Sequence, residues 1–280
     1  HSWLEKRNRT VLQQTQEGRE ELRSFEDAPL LMDGRVDTVS GTQGANTINR
    51  YKLHQVSADT KKPIFNMSAF YTTPKTEKGQ KMVPSEIGAD DFRGMEDQIL
   101  LCEGARVLLT QNLWVEAGLM NGALGYVRGF MFPQGFDPNS REKDLQAPIC
   151  VFIEFDSVDL GTDEAGKPRS FFPDDPVKKT WVPIFRQEVA SAVEEHVTRA
   201  NFPLTLAWAL THWKAQGMTL AKVRVHLSTR TAAIPGIGFV ACTRVRHPWN
   251  LVFEEPLPEY AEFMKGKNKK EFRERKRYEL

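Results

Sequence analysis

The apolar residues of this chain fall in short runs interrupted by turn residues, and this spacing constrains the fold more than any other feature. Four such runs lie between residues 104 and 189, in the segments GARVLLTQNL, GALGYVRGF, APICVFIEFDSV and TWVPIFRQEV. Runs of this length at close spacing predict a small antiparallel β-barrel. No apolar run approaches the roughly 20 residues of a membrane-spanning helix, and no signal peptide opens the chain. We therefore expect no membrane partner.

The segments before these runs are more polar. Residues 1–25 are helix-prone, and the segment ANTINRYKLHQV has Ile48, Leu53 and Val56 on or near one face of a predicted helix. The segment KPIFNMSAFYT reads as extended. Residues 73–98 contain Pro and Gly among polar residues, which predicts a loop or a short arm.

The last third of the chain has an alternating pattern. The segment FPLTLAWALTHWKAQG predicts a helix, with Pro203 near its start and Gly217 at the position of a C-cap. A strand (KVRVHL), a short helix (GFVACTRVRHP) and another strand (WNLVF) are predicted to follow. Alternation of helix and strand is typical of an α/β layer with a parallel sheet.

Charge and cysteine content give only general expectations. The net charge is +1, so the chain is not basic overall, although residues 265–277 (KGKNKKEFRERKR) are strongly basic. This tail either contacts nucleic acid or forms a solvated end, and both remain open. The three cysteines form no C-x-x-C pair, and the six histidines show no metal-ligand spacing. We expect a reducing, intracellular compartment and no bound metal of the protein's own. The first residue is His1, so we expect the sequence to be part of a longer protein.

One segment, GTDEAGKPRS at residues 161–170, has the glycine spacing of a phosphate-binding loop. Such a loop needs Ser or Thr after its lysine and a helix whose first N–H groups face the phosphates. Here Pro168 follows Lys167 and has no N–H to donate. The segment is therefore predicted to be an exposed hairpin loop.

The ordered motifs of the last third resemble those of a known family. FPLTLAWALTHWKAQGMTL and, about 20 residues later, GFVACTRVR resemble motifs V and VI of the superfamily 1B DNA helicases of the RecD/PIF group. Upstream, EGARVLLTQNLWVEAGLMNGALGYVRGF resembles a further segment of that family, and Asn49 in INRYKL is a weaker match to motif IV. The likeness covers residues from about 45 to 253. Two positions depart from the family pattern: Trp213 stands where His is usual, and Thr243 stands in place of Ser.

The resemblance implies a fold and a domain organisation. It implies an α/β fold, namely the second RecA-like (P-loop NTPase-type) domain of a helicase with an inserted small SH3-like β-barrel. Residues 1–98 would begin the RecA-like domain, with an N-terminal helix and a polar arm. Residues 99–188 would form the barrel, residues 189–256 would complete the RecA-like domain, and residues 257–280 would be a basic tail.

The resemblance also implies an ATP-binding set. Arg244 is the candidate catalytic residue, because a permanently charged guanidinium can stabilise the charge that develops on a transferred phosphoryl group. The alternatives are a structural salt bridge for Arg244 and the catalytic role for Arg246. Gln216, Gly217 and Thr243 are the other expected ATP-binding residues, although Gln216 and Gly217 would also suit a plain helix C-cap.

A second set is expected to contact single-stranded DNA. Thr211, His212 and Lys214 offer a hydroxyl, an imidazole and an ammonium group suited to backbone phosphates, and a solvated helix face is the alternative. Trp213 offers a ring for base stacking, whereas core packing is expected for Trp208. Asn121 fits a tight hairpin turn of the barrel first, and a DNA contact second.

These expectations combine into a helicase hypothesis. The chain would be the C-terminal part of an ATP-dependent DNA helicase that moves on single-stranded DNA and unwinds duplexes. ATP and Mg²⁺ would be held mainly by the N-terminal RecA-like domain of the same polypeptide, so this chain alone would be inactive. The alternatives are a non-enzymatic module that binds single-stranded nucleic acid and a decayed helicase remnant of a mobile element. In a eukaryote we expect the nucleus or the mitochondrion.

Overall fold

The computed structural model of the 280-residue chain describes residues 6–32, 44–72, 88–137, 147–194, 196–227 and 236–255. The chain divides into two compact units. The first unit is His1–Arg50 with Trp208–Leu280, and the second unit is Tyr51–Ala207. These divisions do not coincide with the predicted boundaries after residues 98 and 188, because strands on both sides of the predicted barrel also belong to the second unit. Of the predicted loop or arm at residues 73–98, the structure describes residues 88–98, and the predicted basic tail, residues 257–280, lies outside the described residues.

A four-stranded parallel sheet forms the centre of the first unit. Its strands follow the order β12 (Ala209–Thr211), β1 (Leu30–Met32), β13 (Val223–Val225) and β14 (Leu251–Phe253). Leu31 pairs with Leu210 on one side and with Val225 on the other, and none of the three is more than 2% exposed. Both faces of parallel sheets are typically buried in α/β proteins. The predicted α/β layer with a parallel sheet is confirmed.

The described chain also contains α-helices, and residues in or next to two of them pack on this sheet. The helices are α1 (Arg9–Leu12), α2 (Gln16–Arg23), α3 (Ala45–Thr60) and α4 (Ile237–Cys242). Phe25, just after α2, packs on Val252 of β14, and Ala45 of α3 packs on Met32 and Ala209. Helices were predicted from residues 1–25, ANTINRYKLHQV and GFVACTRVRHP, and all three predictions are confirmed. No helix in the described part of the chain is long and apolar enough to cross a membrane.

The N-terminal segment lies along the β14 edge of the sheet. Asn8 forms a parallel bridge with Phe253, whose N–H donates to the Arg7 carbonyl at 3.0 Å. The Arg7 guanidinium is buried there: its Nε donates to the Leu251 carbonyl at 2.9 Å, and its Nη1 lies 2.7 Å from a Glu21 carboxylate oxygen. The edge of β14 that faces away from β13 is therefore paired with backbone from the start of the described chain.

The second unit contains a five-stranded antiparallel sheet. Its strands follow the order β11 (Leu204–Leu206), β5 (Arg106–Leu109), β6 (Leu124–Met131), β7 (Cys150–Phe155) and β8 (Trp181–Phe185). Val127, Ile153 and Val182 are paired across three strands, and none is more than 3% exposed. The predicted strands are confirmed, whereas closure of this sheet into an SH3-like barrel stays a prediction.

Smaller sheets complete the second unit. Strand β2 (Phe65–Ser68) pairs with β4 (Gln98–Leu101), and β10 (Thr198–Asn201) pairs with both β3 (Phe70–Thr72) and β9 (Gln187–Ala190). Arg199 of β10 is only 1% exposed: its Nη1 donates to the Met95 carbonyl at 2.8 Å, and its guanidinium lies 4.0 Å from the centre of the Phe92 ring. A carbonyl and an aromatic face thus contact this buried cation.

The prediction of a helix at residues 202–217 is wrong. Leu204–Leu206 pairs with β5, and Ala209–Thr211 pairs with β1, so the segment contributes a strand to each unit. Leucine and alanine favour helix in isolation, but pairing with strands distant in sequence outweighs such intrinsic preferences. The remainder, His212–Gly217, is a turn.

Candidate functional site

The turn that follows β12 carries most of the predicted site residues. Its backbone is closed by hydrogen bonds from Ala215 N–H to the Thr211 carbonyl (3.2 Å), from Gln216 N–H to the Trp213 carbonyl (3.1 Å) and from Met218 N–H to the Ala215 carbonyl (3.1 Å). We call residues 211–218 the motif V turn. It is a compact, ordered loop in place of the predicted helix end.

Gln216 and Gly217 form the exposed tip of this turn. Gly217 has a φ of +81°, in the left-handed region where a side chain would strain the backbone. The prediction that Gly217 permits a left-handed turn is confirmed, although the turn follows a strand and not a helix. The role of Gln216 in ATP binding stays a prediction.

The predicted DNA-contacting side chains differ in accessibility. Trp213 is 62% exposed and Lys214 is exposed, whereas His212 is only 1% exposed. Thr211 is half-buried, and its hydroxyl accepts a hydrogen bond from Lys214 N–H at 3.1 Å. The turn therefore presents an aromatic ring and a cation to solvent. A phosphate contact by His212 would require a rearrangement of the turn.

The Arg244 guanidinium connects the motif V turn to the end of helix α4. Its Nε donates to the Val240 carbonyl at 2.8 Å, and its Nη2 donates to the Thr243 hydroxyl at 3.0 Å. Its Nη1 donates across to the motif V turn, to the carbonyls of Met218 at 3.2 Å and of Ala215 at 3.4 Å. We call this set of bonds the Arg244 clamp. The predicted catalytic arginine and the predicted ATP-binding turn are in direct contact.

The backbone reinforces this connection. Leu220 N–H donates to the Arg244 carbonyl at 2.7 Å, and Leu220 forms a parallel bridge with Val245. The Thr243 hydroxyl donates to the Phe239 carbonyl at 2.8 Å, one turn back in α4. The segments that resemble motifs V and VI are thus joined by both main-chain and side-chain bonds.

Arg246, the rival candidate, has different surroundings. It is exposed and, within the residues that the structure describes, forms no ion pair or side-chain hydrogen bond. The geometry therefore separates the two arginines into one that is engaged with carbonyls and one that faces solvent. Which of them acts on a nucleotide stays a prediction.

Asn49 has a structural role that sequence reasoning missed. This position showed only a weak match to motif IV. It is 6% exposed, its amide nitrogen donates to the Ala209 carbonyl, and its amide oxygen accepts from Ala209 N–H, both at 2.8 Å. The asparagine holds helix α3 to the strand that leads into the motif V turn. A signal was present: Ala45, Asn49 and Leu53 recur at a spacing of four, which places a polar residue in a buried helix stripe.

Asn121 lies in the second unit, in the connection between β5 and β6. The connection covers residues 110–123, and within it Asn121 and Gly122 form the predicted tight turn, in which Ala123 N–H donates to the Met120 carbonyl at 2.9 Å. The two strands are nevertheless joined by the longer connection and not by this turn alone. Asn121 is exposed, and its N–H donates to the Asn112 side-chain oxygen at 2.8 Å. Gly122 has a φ of +99°, and its N–H donates to the Leu109 carbonyl at 2.8 Å. The DNA contact proposed for Asn121 stays a prediction.

The 161–170 segment is an exposed loop, as predicted. Thr162 and Pro168 form an antiparallel bridge, and one carboxylate oxygen of Asp163 accepts from the N–H groups of Ala165 (2.9 Å) and Lys167 (2.8 Å). Those N–H groups would be needed to bind a phosphate, and an acidic side chain already occupies them. This segment does not function as a phosphate-binding loop.

Comparison with known proteins identifies similar helicases. No protein-family model matches the chain. The chain is 31% identical over 153 residues to the ATP-dependent DNA helicase PIF1 of Xenopus laevis, covering 55% of this chain and 19% of that protein. It is 27% identical over 225 residues to the ATP-dependent DNA helicase Pif1 of a Psychrobacter strain, covering 72% of this chain and 31% of that protein. The chain thus spans less than a third of the length of these curated relatives.

Solved structures show the same fold. The Pif1 helicase of Candida albicans superposes with a TM-score of 0.54 at 19% identity, covering 90% of this chain and 50% of that one. The Pif1 of a Bacteroides species, in complex with ADP-AlF4, superposes with a TM-score of 0.51 at 18% identity, covering 99% of this chain and 53% of that one. The predicted resemblance to superfamily 1B helicases of the PIF group is confirmed over part of their length, and the chain shares their RecA-like α/β fold.

Proposed function

We propose that this chain is part of an ATP-dependent DNA helicase and supplies its second RecA-like domain, the one that carries motifs V and VI. The observation that carries the proposal is the Arg244 clamp, which brings together the two segments that resemble these motifs. The names of the similar proteins, ATP-dependent DNA helicases, support the same activity for the longer protein. In that protein, ATP hydrolysis would drive translocation along single-stranded DNA and duplex unwinding.

The residues around the clamp suit the phosphate end of a nucleotide. Arg244 and Arg246 are permanently charged, and a guanidinium matches phosphate oxygens with several donors at once. Gln216, Gly217 and Thr243 adjoin Arg244 through the clamp and its neighbouring bonds. We propose that Arg244 stabilises the charge that develops on the transferred phosphoryl group, with Gln216, Gly217 and Thr243 next to the nucleotide.

The same residues do not suit Mg²⁺. This ion takes oxygen ligands, chiefly carboxylates, phosphates and waters. The described part of the chain contains no group of three or more His, Cys, Asp or Glu residues that could hold a metal ion. We therefore assign Mg²⁺ and the phosphate-binding loop to the N-terminal RecA-like domain of the same polypeptide.

Single-stranded DNA is the proposed polymer substrate. The exposed Trp213 ring can stack on a base, and Lys214 beside it can neutralise a phosphate. Thr211, His212 and Asn121 remain proposed contacts. Because DNA is the proposed substrate, we propose an intracellular location, the nucleus or the mitochondrion in a eukaryote.

Two measurements on the 280-residue chain test the proposal. The chain should bind a fluorescently labelled oligo(dT), with an affinity that falls steeply as salt rises, because phosphate contacts dominate such binding. It should show no ATP turnover above background, with or without DNA. Absence of oligo(dT) binding at low salt contradicts the DNA-binding assignment, and turnover that Lys167→Ala abolishes contradicts our assignment of the 161–170 segment. A non-enzymatic nucleic-acid module is favoured instead if the longer natural protein also fails to hydrolyse ATP.

A further inference from the structure

The bonds of the Arg244 clamp are unequal. The bond from Nε to the Val240 carbonyl, in the preceding helix α4, is 2.8 Å long. The bond from Nη1 to the Met218 carbonyl is 3.2 Å long, at the upper end of the usual range for N–H···O bonds, and the bond to the Ala215 carbonyl, at 3.4 Å, lies beyond that range. The guanidinium is therefore held firmly by α4 and more weakly by the turn. The weaker bonds can be lost while the stronger one keeps the side chain oriented.

The weaker bonds close the tip of the motif V turn. The carbonyls that accept them, those of Ala215 and Met218, lie on either side of Gln216 and Gly217. Only one main-chain bond, from Met218 N–H to the Ala215 carbonyl, spans the same tip. Both carbonyls belong to residues that are at most 6% exposed, whereas Gln216 and Gly217 are exposed. Arg244 thus supplies a large share of the contacts that keep the tip closed.

A phosphate group would compete for these donors. The two carbonyls are neutral acceptors, whereas an oxyanion adds the attraction of two opposite charges and can accept from two N–H groups of the planar guanidinium at once. An oxyanion within reach of Nη1 would therefore displace the carbonyls of Ala215 and Met218. The turn would then lose both of its bonds to the Arg244 side chain.

We propose that Arg244 is a latch for the motif V turn: binding of a phosphate oxyanion to its guanidinium releases the turn, and with it Trp213 and Lys214. The inference rests on the proposed function, because it assigns the oxyanion to a nucleotide and the released residues to a nucleic-acid surface. It gives this chain a physical connection between the two ligands. By linkage, a nucleic acid that prefers the released turn would favour phosphate binding at Arg244 to the same extent.

The latch can be tested on the 280-residue chain by amide hydrogen exchange measured by NMR, with inorganic tripolyphosphate as the oxyanion. The reporters are the N–H groups of Gln216 and Met218, which are bonded within the turn. The N–H of Leu220 is an internal reference, because it bonds to the Arg244 main-chain carbonyl, which substitution of the side chain leaves in place. Arg244→Gln removes the latch. Arg19→Gln is the matched control, since it removes one exposed guanidinium of the first unit outside the clamp and the motif V turn.

In the wild-type chain, tripolyphosphate should accelerate exchange at the two reporters by about tenfold, the effect expected when hydrogen bonds of ordinary strength are lost. Arg244→Gln should show the same acceleration without tripolyphosphate and no further change when it is added. Exchange at Leu220 should stay constant in every sample, and Arg19→Gln should behave like the wild type. Arg244→Lys, which keeps the charge without the planar fork, should give exchange rates between those of the wild type and Arg244→Gln.

Two results would overturn the latch: reporters in Arg244→Gln that exchange at the wild-type rate, or wild-type reporters that do not respond to tripolyphosphate. Faster exchange at Leu220 in Arg244→Gln would also count against it, because it would indicate general unfolding. These outcomes do not depend on the helicase activity. If the exchange results are as expected but the chain does not bind oligo(dT), the latch stands and the proposed function is contradicted. If the chain binds oligo(dT) but the exchange results fail, the proposed function stands and the latch is contradicted.

Discussion

Asn49 and Ala209 exchange two hydrogen bonds of 2.8 Å, so that a side-chain amide pairs with a main-chain amide as a neighbouring strand would. The residues on either side of β12 bond to β1: Leu30 N–H donates to the Trp208 carbonyl, and His212 N–H donates to the Met32 carbonyl. The polar groups of Ala209 therefore point away from β1, towards the edge of the sheet. Asn49 satisfies them where no further strand is paired in the described sheet.

Replacement of Asn49 tests this relationship. Asn49→Leu leaves the N–H and carbonyl of Ala209 buried without partners, which should lower the free energy of unfolding by about 3 kcal/mol. Asn46→Leu, on the exposed side of the same helix, should change it by less than about 0.5 kcal/mol. Urea unfolding monitored by circular dichroism measures both. Equal effects of the two substitutions would show that Asn49 does not support the strand.

Arg244 should be required for ATP turnover in the longer protein. Arg244→Ala should reduce DNA-stimulated turnover by about a hundredfold or more, since arginine fingers contribute roughly 10³–10⁵ to the rate of phosphoryl transfer. ATP affinity should fall much less, because the charge that the guanidinium stabilises develops mainly in the transition state. Steady-state kinetics of the variant separate the two effects. Normal turnover in Arg244→Ala together with loss of turnover in Arg246→Ala would transfer the catalytic role to Arg246.

Lys214 should contribute one phosphate contact to DNA binding. Lys214→Gln should weaken oligo(dT) binding and reduce the slope of log affinity against log salt by about 1. Lys62→Gln is the control, because Lys62 lies in the second unit and pairs with Glu103 at 2.8 Å. Fluorescence anisotropy over a series of salt concentrations measures the slopes. An unchanged slope for Lys214→Gln would remove this residue from the DNA-binding surface.

The Cys242 thiol should be unreactive in the folded chain. Burial raises its pKa to about 11. Because the thiolate is the reactive form, alkylation by iodoacetamide near pH 8 should be about a hundredfold slower than for a cysteine of the unfolded chain. The rate should rise about tenfold per pH unit until the pH reaches the pKa. Peptide mass spectrometry with and without urea gives both rates, and rapid labelling of the folded chain would show that Cys242 is accessible.

Thr180 should control the titration of Glu154. The pKa of Glu154 is lowered from its usual 4.5, first because the Thr180 hydroxyl donates to it and then because of Arg128. A lowered carboxyl pKa adds stability above the usual pKa, and that stability is lost as the pH falls through the lowered value. Thr180→Val should therefore raise the pKa and destabilise the chain by a few tenths of a kcal/mol near neutral pH, with a smaller effect in acid, because the pair is partly exposed.

Carbon-13 NMR titration of the Glu154 carboxyl group measures the shift directly. Thr198→Val is a matched control, because the Thr198 hydroxyl donates to a different carboxylate, that of Glu188, at 2.6 Å. It should leave the titration of Glu154 unchanged. If both variants shift the Glu154 titration equally, the cause is a general change in the second unit and not the hydroxyl.

Local patterns were sufficient to predict most of the strands and helices. The alternation in CVFIEF places Val151, Ile153 and Phe155 on the buried face of β7, and this period is a property of the strand itself. The strands within residues 202–217 could not be predicted in this way. Their leucines and alanines fit a helix, and the pairing with β1 and β5 involves residues far away in sequence.

The candidate site was predictable in its composition but not in its contacts. The left-handed turn at Gly217 follows from the residue type, because glycine adopts positive φ without strain. The bonds from Arg244 to the carbonyls of Ala215 and Met218 join a side chain to a backbone 29 and 26 residues away. No periodicity encodes such a contact, and every backbone carbonyl is an equally good acceptor in the sequence. The burial of His212 was missed for the same reason, since it depends on what packs against the turn.

The parallel bridge between Asn8 and Phe253 has a consequence for solubility. An unpaired strand edge offers a row of N–H and carbonyl groups to other molecules and is a site of aggregation. The start of the described chain covers that edge on β14, and Arg7 secures it through Leu251 and Glu21. Proteolytic cleavage after Thr10 would therefore expose the unpaired edge of β14, and the truncated molecules would self-associate by pairing strands along this edge.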